Sequence, residues 1–330
     1  MLADIQLKEL PMGTAITGNK ILSHIDRIAN SHAPITADIF LNNYCNNNCP
    51  YCTYKRWEFD DDSRYMTYED FVRYAKRLKD LGVLGIILSG GGEPTISKDF
   101  DKITEWLDKS GYAYGINTNF NRYVQCSPNY LKVSLDGWDE DSYEKVRGVR
   151  NYQAVRFNIK HFAEHKSERT SLGIQLLATE RDQVYRFYEA NADLPVDYIV
   201  IRPVESTDGC YYRNLPADLN FYPREIIKAI KDVGQTDRRV VMNYKWQLLD
   251  RKYEFCIGEW SQIALNELGE VLYCCHKPFQ VVGHIMDEDI LEKKHLATTN
   301  MALCDVPCRL SGVNHDLALM LRKQANPEFI

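Results

Sequence analysis

The sequence has no excess of charge of either sign. Lys and Arg number 40 against 46 Asp and Glu in 330 residues, a net charge of −6, and the basic residues are scattered rather than gathered in runs. Nothing in that pattern makes the positive stripe a phosphate backbone requires, so no nucleic-acid partner is expected. Long apolar runs are also absent. No stretch approaches the roughly 20 residues of a membrane span. The opening MLADIQLKELPMG mixes acids and bases without an apolar centre, unlike a secretory signal. A cytoplasmic protein with no membrane association is the expectation. Internal repeats and low-complexity tracts are missing too. Cysteine, by contrast, is plentiful. There are ten, and in a reducing compartment they read as metal ligands or free thiols rather than disulfides.

With 45% hydrophobic residues the chain can bury a large core. ITADIFLN, residues 35–42, is a short apolar run that predicts a strand leading into a cysteine-rich loop. TYEDFVRYAKRLKDLG predicts a helix, with Thr67 as N-cap, Asp70 three residues on, Phe71, Ala75, Leu78 and Leu81 at helical spacing, and Gly82 as the stop. Strand and helix signals then alternate through VLGIILSGGGEP, DFDKITEWLDKSG, YAYGINTNF, YLKVSLDG, DEDSYEKVRG, residues 154–165, SLGIQLLA, residues 181–192 and DYIVIRPV. Repeated β-helix-β units imply a parallel sheet covered by helices, with its chemistry at the C-terminal ends of the strands. The cysteine loop, the glycine cluster, SLDG and RPV all fall at such ends. From about Phe255 the texture changes to a hairpin pattern with Gly269 in the turn. A second small domain is expected there.

Cys45, Cys49 and Cys52 are spaced C-x3-C-x2-C, which lets one tight loop bring three sulfurs to a single centre. A structural zinc site would ask for a fourth protein ligand, and no His lies close to the loop. A cubane 4Fe-4S cluster takes four thiolates, so three leave one iron open.

With Tyr51 as the aromatic before the last cysteine, CNNNCPYC resembles the signature of the radical S-adenosylmethionine (radical SAM) enzymes. The resemblance implies an α/β fold built on a partial (β/α)6 parallel barrel over residues 35–250. Residues 1–34 would be an N-terminal extension. It implies a 4Fe-4S cluster on Cys45, Cys49 and Cys52 whose open iron binds S-adenosylmethionine, with Tyr51 against the adenine. SGGGEP resembles the family's GGE motif, giving Gly91, Gly92 and Glu93 a cofactor role: bare glycines admit close backbone approach, and a carboxylate accepts from an ammonium. INTNF stands where the family has T-N-G, which gives Asn117 a cofactor contact. VSLDG resembles the ribose-contacting segment, giving Ser134 and Asp136, although Asp-Gly is also an ordinary turn.

Later in the chain, Cys256 is followed after twelve residues by Gly269, and Gly269 after four by Cys274; Cys304 and Cys308 then form C-x3-C. That arrangement resembles the auxiliary-cluster modules called twitch and SPASM, and its four ligands suit a twitch-type small iron-sulfur domain over residues 251–330. A zinc site of the same thiolates is the alternative. Cys275 adjoins Cys274, and strand alternation lets only one of the two face a cluster comfortably. Cys210 follows the sixth strand and reads either as a buried thiol or as a hydrogen donor to a substrate radical. Arg202, in IRPV, reads as a clamp for a substrate carboxylate or phosphate, or as an ion-pair partner of Asp197 or Glu205. Arg147 and Arg150 read as surface or cofactor-rim charges.

The resemblance implies reductive cleavage of S-adenosylmethionine to a 5'-deoxyadenosyl radical, which abstracts hydrogen from a small polar substrate, carbohydrate-like or amino-acid-like. Electron loss to a second, auxiliary 4Fe-4S cluster would give dehydrogenation, and hydrogen return from a thiol would give epimerisation. A flavodoxin or ferredoxin would supply electrons. A peptide-modifying maturase is the alternative enzyme, and a non-catalytic iron-sulfur or zinc-binding protein the alternative of another class. The 34 residues before the first strand are too few for a peptide-recognition domain, which favours a small substrate.

Overall fold

The computed structural model describes residues 23–31, 33–50, 52, 64–203, 224–242, 254–275, 277, 279–300 and 311–321. The apolar runs become β1 (Thr36–Phe40), β2 (Gly85–Ser89), β3 (Ala113–Thr118), β4 (Tyr130–Ser134), β5 (Ser171–Ala178) and β6 (Tyr198–Pro203), each paired in parallel with the next. Between them run α1 (Tyr68–Asp80), α2 (Phe100–Ser110), α3 (Glu140–Arg147), α4 (Tyr152–His165) and α5 (Arg181–Asn191), and α6 (Arg224–Thr236) follows β6. The Thr67 side chain accepts from Asp70 N at 3.2 Å at the start of α1. Asp139 and Ser142 close a reciprocal capping box on α3. Among the described residues, no helix is long and apolar enough to cross a membrane.

The expected parallel α/β partial barrel is therefore present, with two differences from the six strands read in sequence. A three-residue strand, β7 (Val240–Met242), extends the parallel run beyond β6. It is too short to carry a periodicity. The expected hairpin forms as β8 (Gln262–Leu265) and β9 (Glu270–Leu272), with Gly269 at φ +77°, and β10 (Val281–His284) adds to it antiparallel. It shares the barrel's sheet, because β8 pairs in parallel with β1 and gives the order β10-β9-β8-β1-β2-β3-β4-β5-β6-β7. The expected boundary near residue 250 lies outside the described residues. α7 (Ile290–Thr299) and α8 (Ser311–Met320) follow the hairpin. Of the N-terminal extension, Arg27 donates from Nη2 to Gly82 O at 2.5 Å, tying that segment to the end of α1.

The two faces of the sheet differ sharply. Ile39, Leu88, Ile116, Leu131, Ile174 and Ile201 are fully buried in one cluster with Phe71 and Leu78 of α1, Ile103 of α2 and Ile159 and Phe162 of α4. Each such side chain contributes about 1.5–3 kcal/mol by leaving water. Alternation along the strands turns Asp38, Ser89, Asn117, Lys132, Ser134, Gln175 and Arg202 to the opposite, inner face.

Candidate functional site

The loop after β1 is laid across the glycines after β2. Gly92 N donates to Asn42 O at 3.0 Å and Glu93 N to Tyr44 O at 2.9 Å. Asn42 Nδ2 returns a bond to Glu93 O at 2.9 Å. A Cβ on Gly92 would lie 2.0 Å from Tyr44 O and 2.2 Å from Asn42 Oδ1, so no side chain fits between the two loops. Gly92→Ala is expected to push the cysteine loop off its seat and to lower the iron retained after anaerobic reconstitution several-fold while the helical circular dichroism persists.

Three asparagines between the first two cysteines are each held by a separate residue, two in the segment after β3 and one at the end of α3. Asn119 Nδ2 donates to Asn46 Oδ1 at 2.7 Å, Asn121 Nδ2 donates to Asn47 Oδ1, and Asn48 N donates to Arg147 O at 3.0 Å. The same partners reach the sulfurs. Cys45 Sγ accepts from Asn47 N at 3.3 Å and from Asn119 Nδ2 at 3.7 Å, and Cys49 Sγ accepts from Arg147 Nη1 at 3.7 Å. Burial pushes the Cys45 thiol up to about 12; Glu93, Cys49 and Cys52 add to the rise and Asn47 N–H opposes it. A bare thiolate is thus disfavoured, and a metal centre would supply the positive charge that stabilises it. Thiols within electrostatic reach of one another, with N–H groups aimed at the sulfurs, fit a three-thiolate iron-sulfur cluster.

Glu93 braces this arrangement. Its Oε1 accepts from Thr95 N at 3.1 Å, Thr95 Oγ1 at 2.7 Å and Thr118 Oγ1 at 2.5 Å, and its Oε2 accepts from Asn119 N at 2.7 Å. Burial raises its pKa above the usual carboxylate range, against the four hydrogen bonds that favour the anion. Its bonds therefore run to the chain itself, joining the glycine loop to the end of β3. Phe120 sits at φ +59°, the left-handed backbone that glycine would adopt most easily, and buries its ring against Phe162. A phenylalanine thus takes, at the place of the glycine in T-N-G, a conformation that glycine favours.

On β4, Ser134 faces inward opposite Gln175. The next acid, Asp136, is 2% exposed at φ +47°, accepts from Leu177 N at 2.6 Å and is ion-paired with Arg147. Arg147 is thus a rim residue in contact with the cysteine loop, whereas Arg150 is exposed and pairs with Asp141 and Glu144. Asn117 lies on the inner face in register with Lys132, and Arg202 lies near the end of β6 in register with Leu177. Sequence reading missed Asn119, Asn121, Arg147 as a sulfur partner, and Lys132. The repeated N-x-N of NTNFN was the available signal for the first two.

In the C-terminal part, Cys256 and Cys274 are buried, and Cys256 Sγ accepts from Asn314 Nδ2 at 3.3 Å. Asn314 Oδ1 accepts from Gly258 N at 2.6 Å. Lys294 Nζ, itself buried, donates to Glu259 Oε2 at 2.9 Å and to the carbonyls of Leu272 and Tyr273, fixing the chain just before Cys274. Cys275 packs on Phe40, Ala264 and Leu272 of the inner face, so the two adjacent cysteines have different surroundings. Tyr51, Cys210, Cys304 and Cys308 lie outside the described residues.

Residues 39–189 match the model of the Radical SAM superfamily. Over 170 residues the chain is 26% identical to a protein of Saccharolobus islandicus named probable GTP 3',8-cyclase, an alignment covering 49% of this chain and 54% of that one. A protein of the same name from Saccharolobus solfataricus is 25% identical over 169 residues, again 49% and 54%. The chain spans about half the length of these curated relatives. Its fold is similar to that of Streptococcus suis SuiB, with a TM-score of 0.62 at 17% identity over 88% of this chain and 77% of that one. The structure of SuiB bound to S-adenosylmethionine gives 0.61 at 18%, over 90% and 72%. anSMEcpe with bound AdoMet gives 0.58 at 16%, over 83% and 85%.

Proposed function

Because residues 39–189 form a radical SAM domain, we propose that this chain is an enzyme that cleaves S-adenosylmethionine reductively and uses the 5'-deoxyadenosyl radical to dehydrogenate or epimerise a small polar substrate. The observation that carries the reading is the Cys45, Cys49 and Cys52 loop, seated on Gly92 and hydrogen-bonded at its sulfurs by Asn119 and Arg147. When bound there, the 4Fe-4S cluster and S-adenosylmethionine supply a one-electron scission of the carbon–sulfur bond into methionine and the radical. The chain's own residues orient and shield. By the CNNNCPYC signature Tyr51 is assigned to the adenine, Gly91 and Gly92 to backbone access for the methionine end, and Ser134 to the ribose. Glu93 and Asp136 act by holding the loops that carry these groups.

Cys256, Cys274, Cys304 and Cys308 are proposed to hold a second, auxiliary 4Fe-4S cluster that takes the electron from the substrate radical. Asn314 at the Cys256 sulfur and Lys294 behind Cys274 support this, as N–H donors to sulfur and a fixed backbone suit a cluster more than a loose thiol. Cys274 is assigned as the ligand. Cys275, on the inner face, and Cys210 are candidates for returning a hydrogen atom if the outcome is epimerisation. No disulfide joins the seven described cysteines, which suits a cytoplasmic setting; a flavodoxin or ferredoxin is the proposed electron donor. SuiB has been solved with its precursor peptide SuiA, which is what a maturase reading would draw on; that likeness is of fold, and the polar inner face favours a small substrate.

The auxiliary cluster is tested by iron and sulfide content with Mössbauer spectra. About eight irons per chain are expected, falling to about four in a Cys45, Cys49 and Cys52 triple alanine variant. Four irons falling to none, with zinc in both forms, would remove the electron acceptor and the dehydrogenation with it.

A further inference from the structure

The inner face of a parallel barrel is normally filled by Val, Ile and Leu, because a polar group placed there gives up water without a partner. Here the upper inner positions are Ser89, Asn117, Lys132, Ser134 and Gln175, all but Gln175 only half-buried. Lower down, the face is closed by two rings. A Cβ on Gly115 would lie 2.0 Å from the Tyr130 ring, and one on Gly173 would lie 2.2 Å from the Tyr198 ring. The tyrosines therefore lie across the two glycines and form a floor.

Two residues above Gly115 and Tyr130, and level with Gly173 and Tyr198, Asn117 is in register with Lys132, and Lys132 with Gly173. Adjacent strands are about 4.8 Å apart, so the two residues are neighbours whose side chains leave the sheet on the same face. Asn117 Oδ1 is buried and has no hydrogen-bond partner among the described residues. An acceptor left in that state costs free energy unless a bound group donates to it. Arg202 is level with Leu177, four residues further along than Gly173, which puts it roughly 13 Å higher, at the rim. It does not stand at the level of Asn117 and Lys132.

Resting on the radical SAM reading of the rim above, we infer that Asn117 and Lys132 anchor the substrate. A carboxylate or phosphate docks on the Lys132 ammonium, and a hydroxyl or amino group beside it donates to Asn117 Oδ1. Asn117 is thereby assigned to substrate rather than to cofactor. The substrate class is a small anion bearing a neighbouring donor, such as a hydroxy acid, an amino acid or a sugar phosphate. Its far end would then point up toward the cysteine rim.

The test uses the full chain, reconstituted anaerobically with S-adenosylmethionine present, and titrates three probes: glycerate, glycerol 3-phosphate and glycerol. One of the two anions is expected to bind at least about tenfold tighter than glycerol, and which one it is identifies the anionic group. Lys132→Met should erase the preference and Lys132→Arg should retain part of it, which separates lost charge from lost folding. Asn117→Asp, placing a second carboxylate beside the ammonium, should weaken the anions and spare glycerol. Equal binding of all three probes to the wild type, or an anion preference that survives Lys132→Met, overturns the anchor. The wild type's 5'-deoxyadenosine yield is read separately. Its absence alongside a Lys132-dependent preference would sink the radical reading alone, and its presence without a preference would sink the anchor alone.

Discussion

Replacing Cys49 by alanine is expected to abolish S-adenosylmethionine cleavage while leaving the fold in place. Cys49 is half-buried at the end of the sheet, outside the apolar cluster between strands and helices, so its loss opens no core cavity. With two thiolates left, the loop can no longer hold a three-ligand cluster, and iron should fall by about four per chain. Asn119→Ala provides the graded comparison, since it leaves all three thiols and removes the 3.7 Å donor to Cys45, the bond to Asn46 and the bond that Asn119 Oδ1 accepts from Asn121 N at 3.0 Å. Loss of such an outer partner typically lowers metal affinity or activity by about 10–100-fold. The cysteine variant should fall well below that range in 5'-deoxyadenosine formed per minute. Equal activity in the two variants would remove the cysteine loop from the chemistry.

Arg147→Met is expected to destabilise the protein by about 3–5 kcal/mol, because it strands a buried carboxylate. Asp136 is 2% exposed and Arg147 is its ion-pair partner, so methionine fills the space but leaves the charge uncompensated. The corresponding drop in Tm is roughly 4–7 °C. Arg147 Nη1 also donates to Cys49 Sγ, and methionine removes that donor while keeping the main-chain bond from Asn48 N, so the cysteine loop should loosen at Cys49 as well. A double-mutant cycle separates these roles. Asp136→Asn added to Arg147→Met should recover part of the lost stability by removing the stranded charge, but not the lost iron retention. Strictly additive losses would show that the ion pair is not coupled.

Much of this was legible in the sequence for definite reasons. β1 to β6 each carry five to eight residues with an apolar core, and α1 carries both its cap and its stop, so local signal sufficed. The cysteine spacing and SGGGEP marked the rim for the same reason: the residues that meet there lie within short, recognisable strings. The partners that hold them do not. Arg147 reaches Cys49 across 98 residues of sequence, and Asn121 reaches Asn47 across 74, so only the closing of the sheet brings them together. Lys132 reads locally as an ordinary polar strand residue; its meaning comes from its register with Asn117 on one side and, on the other, with Gly173, the glycine that makes room for Tyr198. The docking of β8 on β1 was likewise invisible, because a hairpin pattern does not say which edge it will take.

The account stands most directly on one measurement: 5'-deoxyadenosine and methionine quantified after anaerobic incubation of the reconstituted wild type with dithionite and S-adenosylmethionine, with the Cys49→Ala variant as control. Equal amounts of the two products from the wild type, and neither from the variant, are expected. Intact S-adenosylmethionine in both reactions, with iron present in the wild type, would contradict it.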